Sequence, residues 1–570
     1  MDHQNLEKTS STYPMLPKDK DNTIILTQQN GPKILIREDT ILANLQGCAG
    51  CGRTQFACSG MKKKWSALCW GKQSDKKYYC SIILLSTTFA LSLLGTIFFC
   101  FTDVINNAIL SNMVLQNESL AFKMWRRPTV HPLMKVHLFN YTNWQRVRDG
   151  LDTKFHVQDV GPYVYQQHLE RVKVKFDGDK LTFQEQNNFK FLPEASKGAH
   201  FDQVFVPNLP LLGATARAAN LDFIARYGIL TALNALGNHK EAFLKLPVQR
   251  FLWGYEDRII SIIKPYLSLQ GQLNFDNFGL LVTKNGTSSD IFTINTGERD
   301  INRMNIIEGF NGQKALSYWG SPECNSIEAS DGSIFPPSFL DRNQTLEVFF
   351  PNLCRRIPFI YVKDVETDDG VNLLRYAMPK NVFDDRKNNP ANQCYCQVDT
   401  GACPPRGVID VTQCAMGAPA LASFPHFHQG DPSLREQFVG LDPNSETHQS
   451  YIDIHPTLGI ALSGKSNLQV NIQVKKPESF GPVNYLPQDL ILPIAWIEMS
   501  VEDLPESLKS LVYHGTFSTA AAKLGLSAFC ITSLAVSSIC LFVMMIRRRR
   551  KPCAIVKIIS TDNEVKTQLG

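Results

Sequence analysis

The sequence has little net charge and no clear catalytic motif. Its 58 Lys and Arg residues nearly balance 53 Asp and Glu residues, which leaves a net charge of +5 over 570 residues. So small an excess gives no basic footprint for nucleic acid. There is no Gly-x-Ser-x-Gly elbow, and His426 and His428 have no third metal ligand at helical or strand spacing, so we interpret them as structural. We therefore expect no nucleic-acid partner, no enzymatic activity and no cofactor.

Charge is absent altogether from two long segments, Tyr78 to Phe101 and Leu524 to Ile546. Each is long enough to cross a hydrocarbon core of ~30 Å. Uncharged runs of this length are rare in the core helices of soluble proteins, so both are predicted to span a membrane. The predicted organisation is a cytosolic tail (1–77), a transmembrane helix (78–102), an ectodomain (103–522), a second transmembrane helix (523–546) and a second cytosolic tail (547–570).

Basic residues flank the outer ends of the two spans. Lys76 and Lys77 precede the first span, and an unbroken basic run from Arg547 to Lys551 follows the second. Because Lys and Arg concentrate on the cytoplasmic side of a membrane, both termini are predicted to be cytosolic. We expect a plasma-membrane protein, with the endosome or lysosome membrane as the alternative.

The segment between the spans has features of an oxidising compartment. All four Asn-x-Ser/Thr sequons lie there, and the predicted glycosylation sites are Asn117, Asn140, Asn285 and Asn343. Six of the 15 cysteines also cluster there: Cys324, Cys354, Cys394, Cys396, Cys403 and Cys414. They predict a disulfide framework whose pairing the spacing leaves open. In a cytosolic protein, Cys394, Cys396 and Cys403 would instead suggest a metal site.

The predicted cytosolic tails carry candidate sorting and lipidation sites. Tyr13-Pro-Met-Leu16 fits the tyrosine-based pattern that clathrin adaptors read from an extended peptide. Cys69 and Cys553 lie close to the predicted membrane faces and are candidates for palmitoylation. Further cysteines between 48 and 58 are interpreted as free or lipidated thiols rather than as a zinc site.

Alternating hydrophobicity predicts antiparallel strands in the ectodomain. Apolar residues alternate with lysines before Asp177-Gly178 and resume alternating after it, which is typical of a hairpin. A second hairpin is expected around Asn285-Gly286, between 280–282 and 291–294. A further strand is predicted from Leu468 to Val474.

Helical spacing predicts two interruptions of the sheet. Ser111 to Trp125 suits a helix leaving the membrane, and 211–246 suits a pair of helices. Within that pair, Glu241 to Leu246 is predicted as a second short helix that ends at Pro247. His239 and Lys240 would lie at the exposed junction between the two helices.

A series of short sequence blocks is distributed along the predicted ectodomain. They are 121–125 (AFKMW), 160–165 (VGPYVY), 252–255 (LWGY), 317–319 (SYW), 335–337 (FPP), 394–396 (CYC), 407–411 (GVIDV), 421–427 (LASFPHF), 440–444 (GLDPN) and 448–454 (HQSYIDI). As an ordered set, these blocks resemble the class B scavenger receptors, and the resemblance covers the ectodomain and both spans. This family includes the fatty acid translocase, the high-density lipoprotein receptor, the lysosomal integral membrane protein and the insect sensory neuron membrane proteins.

The resemblance implies an α+β fold, with two transmembrane helices flanking an ectodomain that has an antiparallel β-barrel-like core, short helices and an apical helical bundle. It implies the disulfides Cys324–Cys394, Cys354–Cys414 and Cys396–Cys403, and a hydrophobic tunnel towards the membrane. The apical helices would lie within 211–246. His239 and Lys240 would lie near a ligand contact at this apex.

This resemblance implies a scavenger receptor that binds lipids, fatty acids or lipoproteins and mediates their uptake or transfer to the membrane. An endolysosomal trafficking receptor for a protein partner is the alternative. A two-span ligand-gated channel is a remote one, because the second span offers hydroxyls but no charge: Ser527, Thr532, Ser533, Ser537 and Ser538. Small residues four apart, such as Ser533 and Ser537, are typical of helix packing and would permit a homo-oligomer.

Overall fold

The computed structural model describes residues 23–25, 35–37, 73–235, 241–261, 277–396, 403–415, 417–477, 480–502 and 504–549. The sorting motif at Tyr13 and Leu16, the candidate lipidation sites Cys69 and Cys553, the cysteines between 48 and 58, and the apical pair His239 and Lys240 lie outside the described residues. The chain divides into two compact units, one of residues 1–91 and 534–570 and the other of residues 92–533.

Two long apolar helices begin and end the segment of residues 73–549. They are α1 (Gln73–Phe101) and α11 (Thr519–Arg549). Both are long and apolar enough to cross a membrane. Their apolar side chains are exposed rather than packed, as for Leu91 and Phe529, each 69% exposed. A surface of this kind is stable in lipid and unstable in water.

Several short helices lie between α1 and α11 in the sequence. They are α2 (Val104–Met113), α3 (Leu120–Arg126), α4 (Trp144–Arg148), α5 (Leu209–Ala219), α6 (Phe223–Asn234), α7 (Val248–Trp253), α8 (Pro322–Asn325), α9 (Ser445–His448) and α10 (Glu506–Tyr513). The predicted helix from Ser111 to Trp125 is therefore wrong as a single element. Residues 114–119 break it, and the Ser119 hydroxyl accepts from the Phe122 amide to begin α3.

Strands make up most of the remaining structure. They are β1 (Thr23–Ile25), β2 (Leu35–Arg37), β3 (Leu133–Tyr141), β4 (Phe155–Asp177), β5 (Lys180–Phe191), β6 (Gln203–Pro207), β7 (Phe243–Pro247), β8 (Gly286–Asn295), β9 (Ile307–Phe310), β10 (Leu346–Phe350), β11 (Arg355–Glu366), β12 (Asn372–Ala377), β13 (Val408–Asp410), β14 (Ala420–Ser423), β15 (Phe438–Val439), β16 (Tyr451–Ile454), β17 (Ala461–Gln473) and β18 (Ile491–Val501).

One large sheet organises the region between the long helices. Its main path runs β10-β11-β12-β16-β17-β18-β3-β4-β5-β8-β9, with every pair along it antiparallel. Ser330 nearly closes the sheet, because it bridges Ile306 before β9 and Val348 in β10. Its amide donates to Glu347 and its carbonyl accepts from Phe349. The result is the predicted barrel-like core, which covers most strand edges.

Two strand predictions are confirmed and two local predictions are wrong. The hairpin at Asp177-Gly178 joins β4 to β5, and β17 contains nearly all of the strand predicted from Leu468 to Val474. No strand precedes Asn285-Gly286, because a 3-10 turn occupies Val282–Lys284. The expected short helix from Glu241 is instead β7, which pairs with β6 and buries Phe243 against Tyr141.

Candidate ligand cavity

A large, mostly apolar cavity lies in the unit of residues 92–533. Its volume is about 980 Å³, at the upper end of the roughly 300–1,000 Å³ typical of ligand sites. Apolar side chains such as Met124, Phe349 and Leu508 line it, alongside residues from β4, β5, β16, β17 and β18. The cavity therefore has the size and lining required for a lipid-sized ligand.

The lining includes both chain segments that adjoin the long apolar helices. Ile109 and Met113 come from α2, which follows α1 almost directly. Leu511, His514 and Gly515 come from the end of α10 and the π-helical turn that leads into α11. The wall of the cavity is thus continuous in sequence with both candidate spans.

A buried arginine places charge on the cavity wall. Arg171 is 4% exposed, and its guanidinium lies 4.6 Å from the Trp125 ring centre. Its terminal nitrogens donate to the Trp125 carbonyl at 2.6 Å and to the Asp331 carboxylate at 2.9 Å. Asn305 and Ser333 donate to the other oxygen of Asp331. The positive charge of Arg171 is therefore paired, as a buried charge requires.

A histidine-rich network surrounds Asp159 in the main core. The Asp159 carboxylate lies 3.0 Å from both His137 Nδ1 and His426 Nε2, and accepts from Trp496 Nε1 at 2.9 Å. His426 Nδ1 accepts from the Asp442 amide, so the proton on its ring must lie on Nε2 and point at Asp159. Burial opposes ionisation, but hydrogen bonds from His137 and His426 outweigh it and hold the pKa of Asp159 well below its usual range.

The two predicted structural histidines differ in the structure. Both ring nitrogens of His426 have hydrogen-bond partners, which agrees with its interpretation as a structural residue. His428 Nε2, in contrast, is buried without a hydrogen-bond partner in the described part of the chain. His448 stacks on His426 with ring centres 4.9 Å apart. Burial, reinforced by these neighbouring imidazoles, lowers the pKa of His448 to about 4, so it is uncharged at neutral and mildly acidic pH. Over the described residues, no group of three or more His, Cys, Asp or Glu could hold a metal ion.

One match to the phosphate-loop pattern is coincidental. Residues 459–466 read Gly-Ile-Ala-Leu-Ser-Gly-Lys-Ser. A phosphate loop needs these residues between a strand and a helix. Here Gly464 lies inside β17, paired with Ile452 on one side and Val501 on the other. Lys465 bonds the Glu498 carboxylate at 2.5 Å instead of facing an anion site.

The six clustered cysteines form three disulfides in the structure. Cys324 bonds Cys394, Cys354 bonds Cys414 and Cys396 bonds Cys403, with Cα separations of 6.2, 6.0 and 4.5 Å. These are the pairs that the resemblance implied. Trp319 donates to the Cys354 carbonyl at 2.7 Å and packs on Tyr395, so the disulfides share a core with the sheet.

Three of the four sequons offer exposed asparagines. Asn117, Asn285 and Asn343 are exposed at loops or element ends. Asn140 lies within β3, is half-buried, and accepts a hydrogen bond from the Phe205 amide at 2.9 Å. The structure therefore places three candidate glycosylation sites at the surface and one in the sheet.

Helix α6 exposes an apolar patch. Phe223, Ile224 and Tyr227 on α6 are 78%, 82% and 67% exposed, and the two aromatic rings stack 6.4 Å apart. Most surface helices turn such residues inward. This patch adjoins in sequence the undescribed segment that contains His239 and Lys240.

Several hydroxyls of the second span have hydrogen-bond partners within the chain. Thr532 donates to the Ala528 carbonyl and Ser538 to the Leu534 carbonyl within their own helix. Ser533 hydrogen-bonds Ser92 of α1 at 2.8 Å. These contacts favour helix packing within the chain over the lining of a pore.

Comparison with known proteins gives the family. The model of the CD36 family matches residues 84–547. The chain belongs to the CD36 family. Scavenger receptor class B member 1 of Bos taurus is 30% identical over 400 residues, which cover 70% of this chain and 76% of that protein. Lysosome membrane protein 2 of Rattus norvegicus is 30% identical over 441 residues, which cover 76% of this chain and 87% of that protein.

The predicted relationship to class B scavenger receptors is thereby confirmed. This CD36-family chain is a membrane protein with two candidate spans around a β-rich region, as its sequence predicted. Three charged residues of the cavity wall were not predicted: Arg171, Glu185 and Asp331. The position of Glu185 could have been predicted from the sequence, because alternate residues of a strand lie on the same face and Glu185 alternates with the apolar residues Leu181 and Phe183.

Proposed function

We propose that this chain is a non-enzymatic receptor that takes up a lipid from a lipid-bearing ligand, such as a lipoprotein, and passes it to the membrane through the cavity. The observation that carries the proposal is the apolar cavity of about 980 Å³ whose wall includes the segments next to both spans. Both termini would be cytosolic, with Tyr13 and Leu16 available to a clathrin adaptor. The plasma membrane is the proposed location, and the membrane of the endosome or lysosome is the alternative.

The apolar lining supplies the physical reason for this function. Apolar surface exposed to water costs about 25 cal/mol per Å², or ~0.8 kcal/mol for each CH₂ group. A long acyl chain therefore leaves a membrane or particle slowly unless apolar protein surface covers it. A cavity continuous with residues beside the spans provides that cover up to the bilayer.

The exposed patch on α6 supports a second candidate function. Stacked, exposed Phe223 and Tyr227 resemble the aromatic anchors of protein interfaces. An endolysosomal trafficking receptor would use such a patch to hold a protein partner. Experiments can distinguish the two functions, because a trafficking receptor requires the patch on α6 but does not require lipid in the cavity.

Filling the cavity with a bulky side chain is expected to reduce bound lipid. Ala461 is half-buried, begins β17 and lines the cavity. An indole at this position occupies space that the acyl chain needs, because an aromatic side chain of this kind buries roughly 150–250 Å² of surface. We expect Ala461→Trp to lower the lipid extracted per purified full chain by about half or more.

The matched control is Val439→Trp, which adds the same group at a 49% exposed position outside the lining. It is expected to keep the lipid content of the wild type. Equal lipid content in Ala461→Trp, with an unchanged melting temperature, would contradict binding in this cavity.

A further inference from the structure

Strand β5 directs an acidic side chain to the interior of the barrel. Alternate residues of a strand share one face, and Leu181 and Phe183 on the face of Glu185 are fully buried. Glu185 itself is half-buried, because it borders the cavity. A carboxylate among buried apolar residues is costly unless it has a use or a partner.

Arg171 is the cross-strand neighbour of Glu185. The two residues are directly opposed in the antiparallel ladder of β4 and β5, which brings their Cβ atoms to about 4.5–5.5 Å. Asp331, however, already holds an end nitrogen of the guanidinium at 2.9 Å, and the Trp125 carbonyl holds the other at 2.6 Å. Asp331 therefore offsets part of the positive charge that Arg171 presents to Glu185.

The carboxylate of Glu185 keeps its hydrogen-bonding capacity for the cavity. Within the described residues, no protein group hydrogen-bonds or ion-pairs with it at contact distance. The charged groups that act on it are Arg171, Asp331, Lys284 and Asp290. Lys284 bonds Asn352 instead, and Asp290 bonds Asn311. Removal from bulk water dominates and raises the pKa of Glu185.

We propose that Glu185, Arg171 and Asp331 form a head-group site in the cavity, and that this site selects uncharged lipids bearing a hydroxyl over ionised fatty acids. The inference rests on the proposed function, since it requires lipid in the cavity. A hydroxyl donates a hydrogen bond to the Glu185 carboxylate and so gives that half-buried acceptor a partner. An ionised fatty acid offers no proton and adds a negative charge beside Glu185, Asp331 and Asp290, which already outnumber the positive charges of Arg171 and Lys284.

Two probes with the same acyl chain isolate the head group. Photoreactive hexadecanol and photoreactive hexadecanoate bury equal apolar area, so that contribution cancels in their ratio. Each is crosslinked at neutral pH to the full chain in detergent, and labelled peptides are mapped by mass spectrometry. Labelling of peptides that contain Met124, Phe349 or Leu508 reports occupancy of the cavity.

The wild type is expected to favour hexadecanol by about tenfold, the effect of one pKa unit of charge interaction. Glu185→Gln keeps a carbonyl acceptor but removes the charge, so the ratio is expected to fall about tenfold through increased hexadecanoate labelling. Glu185→Leu removes the acceptor as well and is expected to weaken hexadecanol labelling too. The matched control Glu366→Gln changes an exposed glutamate of β11 outside the cavity lining and is expected to leave the ratio unchanged.

The outcomes separate this inference from the proposed function. If both probes label the cavity and Glu185→Gln leaves their ratio within twofold of the wild type, the head-group site is wrong and the lipid cavity stands. If neither probe labels cavity peptides in the folded wild type, the proposed function fails and the head-group site fails with it. A fall in the ratio for Glu185→Gln but not Glu366→Gln supports the proposal.

Discussion

Replacing Asp159 with alanine is expected to destabilise the protein by about 3 kcal/mol or more. The carboxylate accepts from Trp496 and from His426, and also contacts His137 Nδ1 at 3.0 Å. Alanine removes this acceptor from all three ring nitrogens. Each lost bond to a charged acceptor costs roughly 1.5–3 kcal/mol, and Trp496 is only 6% exposed.

The measurement is the melting temperature of the full chain in detergent, with a decrease of about 5 °C or more expected. Asp159→Asn keeps one carbonyl acceptor and is expected to lose less. Asp177→Ala serves as the control, because Asp177 is exposed at the β4–β5 turn and has no side-chain partner in the described structure. Equal melting temperatures for Asp159→Ala and Asp177→Ala would show that the network contributes little to folding.

Removing the Cys354–Cys414 disulfide is the second change with a large expected effect. The bond joins residues 60 apart in sequence. In the chain-entropy model, opening a loop of this size releases the unfolded chain and costs about 4 kcal/mol. The double variant Cys354→Ser/Cys414→Ser is expected to melt at a markedly lower temperature than the wild type.

The Cys396–Cys403 disulfide provides an internal comparison. Its cysteines are only 7 residues apart, so the same model gives about 2.5 kcal/mol. The double variant Cys396→Ser/Cys403→Ser is therefore expected to melt at a temperature between those of the wild type and the Cys354→Ser/Cys414→Ser variant. If opening the short loop lowers the melting temperature more than opening the long one, loop entropy is not the main source of the stabilisation by these disulfides.

Long or strongly periodic features of this chain were predictable from sequence. Uncharged runs place α1 and α11, because a lipid-exposed helix admits few charged residues. The alternation around Asp177-Gly178 places β4 and β5, because a half-buried hairpin has a period of two. In both cases the environment constrains the residue type at every position of the segment, so the pattern is visible in the sequence.

Short segments were decided by distant contacts that a local pattern does not contain. Residues 243–247 have helix-compatible spacing, yet pairing with β6 and burial of Phe243 make them a strand. Ser330 nearly closes the barrel through one partner just before β9 and another in β10. Such pairings between distant parts of the chain override local propensity.

The cavity was expected only through the family resemblance, and its charged residues were not predicted. Arg171, Glu185 and Asp331 come from β4, β5 and a loop, and only the fold brings them to one wall. Glu185 alone left a local signal, a charge at an inward-facing strand position. The partner that cancels Arg171 lies 160 residues away in sequence, which spacing arguments do not reach.

Native mass spectrometry of the full chain, released from detergent, tests the central claim most directly. The account predicts that the folded wild type carries adducts whose masses match lipids, and that Ala461→Trp loses them while Val439→Trp keeps them. Fragmentation of those adducts would give the head-group class. A folded, lipid-free wild type that stays lipid-free after incubation with lipid vesicles would contradict the account and shift support to protein recognition through α6.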